Sequence, residues 1–118
     1  MITIEHKGNL VNAAVLGEFT LADAKEFEEI VLLHVKTQKR INLLLDLRDM
    51  TDFTLDVAWE DFRFAHQHQY DFWKIAVVTD NRWLAWTAWL SSAFVDAGIQ
   101  VFDEYEKAQD WVAEAQRP

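Results

Sequence analysis

Ile41-Asn42-Leu43-Leu44-Leu45-Asp46-Leu47 is the stretch on which the reading of the fold turns. Its apolar residues fall on both parities, so an extended chain here is apolar on both faces. That is the mark of a strand covered from two sides, as in a parallel sheet. Lys74-Ile75-Ala76-Val77-Val78 repeats the pattern. Parallel neighbours need crossover connections, usually helical, so the segments between such strands are expected to be helices.

Upstream, Ala24, Phe27, Val31 and Val35 recur at helical spacing within a helix expected over about Leu21 to Lys36. Thr20 is a fitting N-cap, with Asp23 three residues on. Lys36, Lys39 and Arg40 put positive charge where the helix dipole favours it. Before this helix, Ile2 and Ile4 alternate with Thr3 and Glu5, Gly8-Asn9 marks a turn, and Leu10 to Leu16 reads as the return strand of a hairpin. Gly17-Glu18-Phe19 is read as the end of that strand. Downstream, Arg48-Asp49-Met50-Thr51-Asp52 reads as a polar connection into a helix over about Thr54 to Tyr70, with Leu55, Ala58, Trp59, Phe62 and Ala65 as its stripe. Thr79-Asp80-Asn81 starts a third helix running to about Phe94, and Ile99 to Phe102 is a short strand. Asp103-x-x-Glu106 has capping-box spacing, and a last helix places Tyr105, Ala108, Trp111, Val112 and Ala115 together. The order ββαβαβαβα predicts a single α/β domain over residues 1–118. Its five-stranded sheet is mostly parallel, with an antiparallel edge strand first and helices packed on it.

Composition narrows the function. The chain has 118 residues, is 51% hydrophobic and 26% charged, and carries a net charge of −9. Nucleic-acid affinity rests on neutralising phosphates, so this surface excludes that class, and an anionic membrane is disfavoured likewise. Without cysteine there is no disulfide, thiol nucleophile or Cys-ligated metal. Three glycines and one proline leave little for phosphate-cradling loops. The start shows no signal-peptide pattern and no apolar run approaches the ~20 residues of a membrane span, so a cytoplasmic location is expected.

The element order resembles that of STAS domains, the anti-sigma-factor antagonist family. Within it the chain is most similar to the SpoIIAA-like subfamily, related to CRAL-TRIO lipid carriers. The resemblance is carried by Leu43-Leu44-Leu45-Asp46-Leu47, Trp59-Glu60-Asp61-Phe62-Arg63-Phe64, His68, Asp71-Phe72, Ile75-Ala76-Val77-Val78, Asp80 and Arg82-Trp83. It implies a non-enzymatic domain that switches protein partners or carries a nonpolar ligand. Phosphoswitch members present a serine beside Gly-Leu at a helix start, where a phosphate meets free amides. The matching stretch here, Thr51-Asp52-Phe53-Thr54-Leu55-Asp56, has no serine and no glycine. Thr54 is left as a weak phosphorylation candidate and a better plain N-cap.

Six of the chain's aromatics are tryptophan, and three of these fall in one helix. At ~100° per residue, Trp83, Trp86, Trp89, Leu90, Ala93 and Phe94 cover an arc of ~140°, with Leu84, Ala88 and Val95 as a second patch. That exceeds the stripe one sheet contact hides. The surplus reads as a bulky core, a dimer or partner interface, or a groove for a nonpolar small molecule such as a lipid. The groove reading assigns Phe53, Trp59, Trp83, Trp86, Trp89 and Leu90 as its lining, since ligands bind open α/β sheets beyond the carboxyl ends of the strands.

The remaining constellations point to no catalyst, cofactor or metal. Asp46, Asp49, Asp52 and Asp56 cluster about a presumed loop but match no calcium-loop spacing. His66 and His68 are two apart on a helix and do not face each other, while His6 and His34 have no metal partners nearby in sequence. Glu60 and Asp61 diverge by ~100° around a helix, unsuited to joint acid–base work. Arg63 suits a surface pair with Glu60, and Ser91 and Ser92 lack a nucleophile context.

Overall fold

A computed structural model of the chain describes residues 1–38, 41–54, 63, 67, 72–80 and 98–113. In order these form β1 (Ile2–Lys7), β2 (Leu10–Phe19), α1 (Leu21–Gln38), β3 (Ile41–Phe53), β4 (Phe72–Val78), β5 (Gly98–Phe102) and α2 (Tyr105–Ala113). The five strands make one sheet in the order β1-β2-β3-β4-β5, in which β1 runs antiparallel to β2 and every later pair is parallel. This is the expected α/β architecture with its antiparallel edge. The helices expected over Thr54 to Tyr70 and up to Phe94 lie outside the described residues, apart from Arg63 and Gln67, which are helical and exposed.

β3 sits at the centre, and from Ile41 to Leu47 every residue is buried. Pleating sends alternate side chains to opposite sides. Leu43, Leu45 and Leu47 join Val11, Ala13, Val15, Ile75 and Val77 in a core that α1 covers with Ala24, Phe27 and Val31. Leu44 joins Ala76 and Val78 on the other side, beneath Ala108 and Val112 of α2. Full burial of one such aliphatic side chain is worth roughly 1.5–3 kcal/mol, so the larger α1-side core carries most of the apolar stabilisation.

Turn and cap chemistry close the elements as read. Lys7 pairs with Leu10, leaving Gly8-Asn9 as a two-residue loop, and Gly8 takes the positive φ of 59° that such hairpin turns demand. The Thr20 amide donates to Asp23 Oδ2 at 3.1 Å and the Asp23 amide donates to Thr20 Oγ1 at 3.2 Å, a reciprocal cap on α1. The Met1 ammonium adds a bond to Asp23 Oδ2 at 2.9 Å. Burial pushes the Asp23 carboxyl up, but the ammonium and the Thr20 amide and hydroxyl together hold it below the usual carboxylate value.

Two boundaries differ from expectation. β2 continues through Gly17-Glu18-Phe19, and β3 continues through the presumed connection Arg48-Asp49-Met50-Thr51-Asp52 as far as Phe53. The two extensions pair with each other, Leu16 with Asp49, Gly17 with Met50 and Phe19 with Phe53. Register shifts after Ala14 and after Gly17 accommodate this, and Gly17 supplies a φ of 71°. Burial of Phe19 and Met50 anchors the added length. At the other end, the Ala108 amide donates to the Glu104 carbonyl, so Glu104, and not Asp103, is the N-cap of α2.

Candidate functional site

The α2 side of the sheet buries polar side chains beside its core, whereas the described strand residues buried in the α1-side core are all apolar. Asn42 is fully buried there. Its Nδ2 donates to the Val112 carbonyl at 3.4 Å and its Oδ1 accepts the Lys74 amide at 3.2 Å, tying β3 to β4 and α2. The Lys74 ammonium lies 4.5 Å from the centre of the Trp111 ring, a cation–π contact that lets the stem cover apolar surface. Trp111 in turn meets Phe102, with ring centres 5.7 Å apart.

Four residues along β3 from Asn42, Asp46 is only 7% exposed. A carboxylate that deep needs a partner. Arg48 provides it through Nε at 2.9 Å, Nη2 at 2.8 Å and its own amide at 3.1 Å. Asp46 holds the guanidinium above its ordinary value by hydrogen bonding, against the effect of burial. The same guanidinium stands 5.1 Å from the centre of the Tyr105 ring, and the Tyr105 hydroxyl accepts a hydrogen bond from Asn12 Nδ2. β2, β3 and the first turn of α2 are thereby joined by one polar chain: Asn12, Tyr105, Arg48, Asp46.

This chain separates two hollows. One, of about 250 Å³, opens over the β1–β2 half of the sheet and is lined by Thr3, Glu5, Asn12, Ala14, Asp46, Arg48 and Tyr105. The other, of about 570 Å³, runs along the start of α2 between Arg48, Tyr105, Asp103, Glu104, Glu106, Lys107 and Asp110. Lys107 bridges Glu104 at 3.0 Å, which raises its ammonium above the ordinary value. Among the described residues the lining is made of carboxylates, an arginine, a lysine, a tyrosine, a threonine, an asparagine and an alanine. These side chains offer hydrogen bonds and charge of both signs.

The predicted groove residues meet this structure at one point. Phe53 ends β3 half-buried against the α1-side core, in register with Phe19, and its amide donates to Asp52 Oδ1 at 2.8 Å. Thr54 follows it, half-buried. Trp59, Trp83, Trp86, Trp89 and Leu90 lie outside the described residues, as do His66, His68, Glu60, Asp61, Ser91 and Ser92. The presumed acidic loop is corrected: Asp46, Asp49 and Asp52 stand on β3, where Asp46 is engaged by Arg48. Among the described residues no group of three or more His, Asp or Glu side chains is placed to hold a metal. Sequence reading missed two juxtapositions. One is Arg48 with Tyr105, whose only signal was the polar break of Asp46 in an apolar run. The other is His6 with His34, whose rings lie 4.3 Å apart between β1 and α1 while His34 Nδ1 donates to the Ile30 carbonyl at 2.9 Å.

With the geometry in place, comparison with known proteins is direct. A family model described as SpoIIAA-like matches residues 10–113. An uncharacterized protein with a SpoIIAA-like fold from Shewanella loihica superimposes with a TM-score of 0.74 at 20% identity, over 95% of this chain and 92% of that one. An anti-sigma factor antagonist from Mycobacterium paratuberculosis superimposes with a TM-score of 0.60 at 14% identity, over 96% of this chain and 95% of that one. No curated protein matches the chain. These matches bear on the SpoIIAA-like part of the resemblance and not on the CRAL-TRIO carriers. Among the described residues no helix is long and apolar enough to cross a membrane.

Proposed function

The chain belongs to the SpoIIAA-like family, and from that membership we propose that it is a non-enzymatic regulatory module of the anti-sigma-antagonist type, acting by docking a protein partner. The observation that carries this reading is the family match over residues 10–113, and the fold shared with the Mycobacterium antagonist supports it. The module is taken as one cytoplasmic domain over residues 1–118. It works without a serine phosphoswitch, since the stretch from Thr51 to Asp56 offers only threonine hydroxyls. Carriage of a nonpolar small molecule by Phe53, Trp59, Trp83, Trp86, Trp89 and Leu90 draws on the indole-rich sequence alone and takes no support from the relatives.

Two measurements test the proposal together. Transcript profiles of a strain lacking the chain are expected to lose one discrete set of sigma-dependent messages, restored by the wild-type gene. Native mass spectrometry of the purified chain is expected to show no co-purifying lipid. An unchanged transcript profile together with stoichiometric lipid, displaced by a lipophilic fluorophore and weakened in Trp86→Ala or Trp89→Ala, overturns the regulatory reading in favour of the carrier.

A further inference from the structure

The two edges of the sheet are built differently. β1 presents Glu5 and Lys7 along its exposed length, the charged guard that natural edges use against stray pairing. β5, at the other edge, reads Gly98-Ile99-Gln100-Val101-Phe102 and contains neither charge nor proline. Gly98, Gln100 and Val101 are exposed, Val101 to 37%. The hydrogen-bonding direction of this edge follows from its end: the Phe102 carbonyl accepts the Thr79 amide on the β4 side. Backbone groups alternate along a strand, so those of Ile99 and Val101 point away from β4.

We propose that β5 is a self-recognition edge, where a second copy of this chain pairs antiparallel about Gln100 and the sheet runs on across a twofold axis. The strand is complementary to itself in this register. Ile99 falls opposite Val101 of the second copy, and these are the residues whose amides and carbonyls face outward, so each such pair exchanges both backbone hydrogen bonds. Both side chains lie on the α1 side, giving a favourable β-branched pair that covers the exposed valine. Gln100 meets its own counterpart as a pair without backbone bonds. Gly98 falls opposite Phe102, where an aromatic ring laid over a glycine compensates for its missing side chain.

Among the described residues nothing calls for that glycine. Its φ is not in the left-handed region, and a Cβ placed there meets only Lys74 Cγ and the Trp73 carbonyl at an ordinary 3.9 Å. Two chains of net charge −9 repel, and an uncharged strip lets them approach. Slipping the register by two residues sets Asp103 against Ile99, which disfavours the alternative.

The test uses the full chain in sedimentation and light scattering, with two variants. The wild type is expected to be a dimer. Val101→Lys is expected to be a monomer with unchanged circular dichroism and melting temperature, because the site is already exposed. Gln100→Cys, the sole cysteine of the chain, is expected to oxidise to a disulfide-linked dimer that reductant reverses, since cross-strand Cβ atoms at such a pair are about 4.5–5.5 Å apart. A wild type that stays monomeric across the concentration range overturns the proposal. So does a dimer that Val101→Lys leaves intact, or one in which Gln100→Cys remains reduced. These outcomes are independent of the partner-docking function.

Discussion

The two sides of the sheet are built from the same central strands yet solve burial differently. On the α1 side, the buried residues that β2, β3 and β4 contribute are all apolar, and the core extends from Ile2 on β1 to Ile75 and Val77 on β4. On the α2 side a much smaller apolar cluster around Leu44, Ala76 and Val78 is flanked by Asn12, Asn42, Asp46 and Lys74, each with a stated partner. The first arrangement is tolerant of detail, because apolar contact has no direction. The second holds only if every donor and acceptor is met, because an unmet polar group in a dry site costs more than a met one gains. The α1 side therefore supplies bulk stability, and the α2 side supplies register, placement of the last helix and a polar surface.

The comparison breaks most visibly in the core. Leu47→Ala removes a fully buried side chain from the α1 side and is expected to cost about 3 kcal/mol through lost transfer energy and the cavity left behind. Urea unfolding is expected to show the loss as a lower midpoint at unchanged slope. Asn42→Ala removes fewer atoms, yet strands the Lys74 amide and the Val112 carbonyl, and is expected to cost about 2 kcal/mol. Amide exchange sharpens the contrast: Asn42→Ala is expected to lower protection in α2 before α1, and Leu47→Ala to lower it throughout. Equal effects on both helices count against a division of labour between the sides.

A smaller effect sits at the α1 cap. Thr20→Ala or Asp23→Asn is expected to cost about 1 kcal/mol at neutral pH. The folded Asp23 carboxyl titrates below its ordinary value. Its contribution is therefore complete above the unfolded carboxylate pKa of about 3.9 and disappears as pH falls through the folded value. Melting temperatures of wild type and Asp23→Asn are expected to differ at pH 7 and to converge on acidification below that range.

What sequence reading reached and what it missed divide along the same line. Leu43 to Leu47 and Ile75 to Val78 announce two-sided burial by their parity alone, and Thr20 with Asp23 announces a cap by spacing, because both signals are local. The extension of β3 through Arg48, Asp49 and Asp52 was hidden because these residues carry no apolar alternation. Their strand exists only because a bulged β2 reaches Phe19 to pair with Phe53. The Asn12–Tyr105–Arg48–Asp46 chain was hidden for a related reason. It joins β2, β3 and α2, and the register that brings them together is a property of the whole sheet.

The last contrast is within that polar chain. The Arg48 side chain is 47% exposed and the Asp46 side chain 10%, so the two halves of the pair are unequal. Exposure of the guanidinium weakens the ion pair toward the range of surface bridges, about 1 kcal/mol or less. Arg48→Ala nevertheless leaves a nearly buried carboxylate without its Nε and Nη2 donors and uncovers the Tyr105 ring. Arg48→Ala is therefore expected to be the more damaging single change, and Asp46→Asn the milder one, since the amide oxygen still accepts from Arg48. In the double variant Arg48→Ala with Asp46→Asn, stability is expected to recover part of the loss, because the stranded charge is gone. A double variant no more stable than Arg48→Ala alone locates the loss in the Tyr105 contact and not in the buried carboxylate.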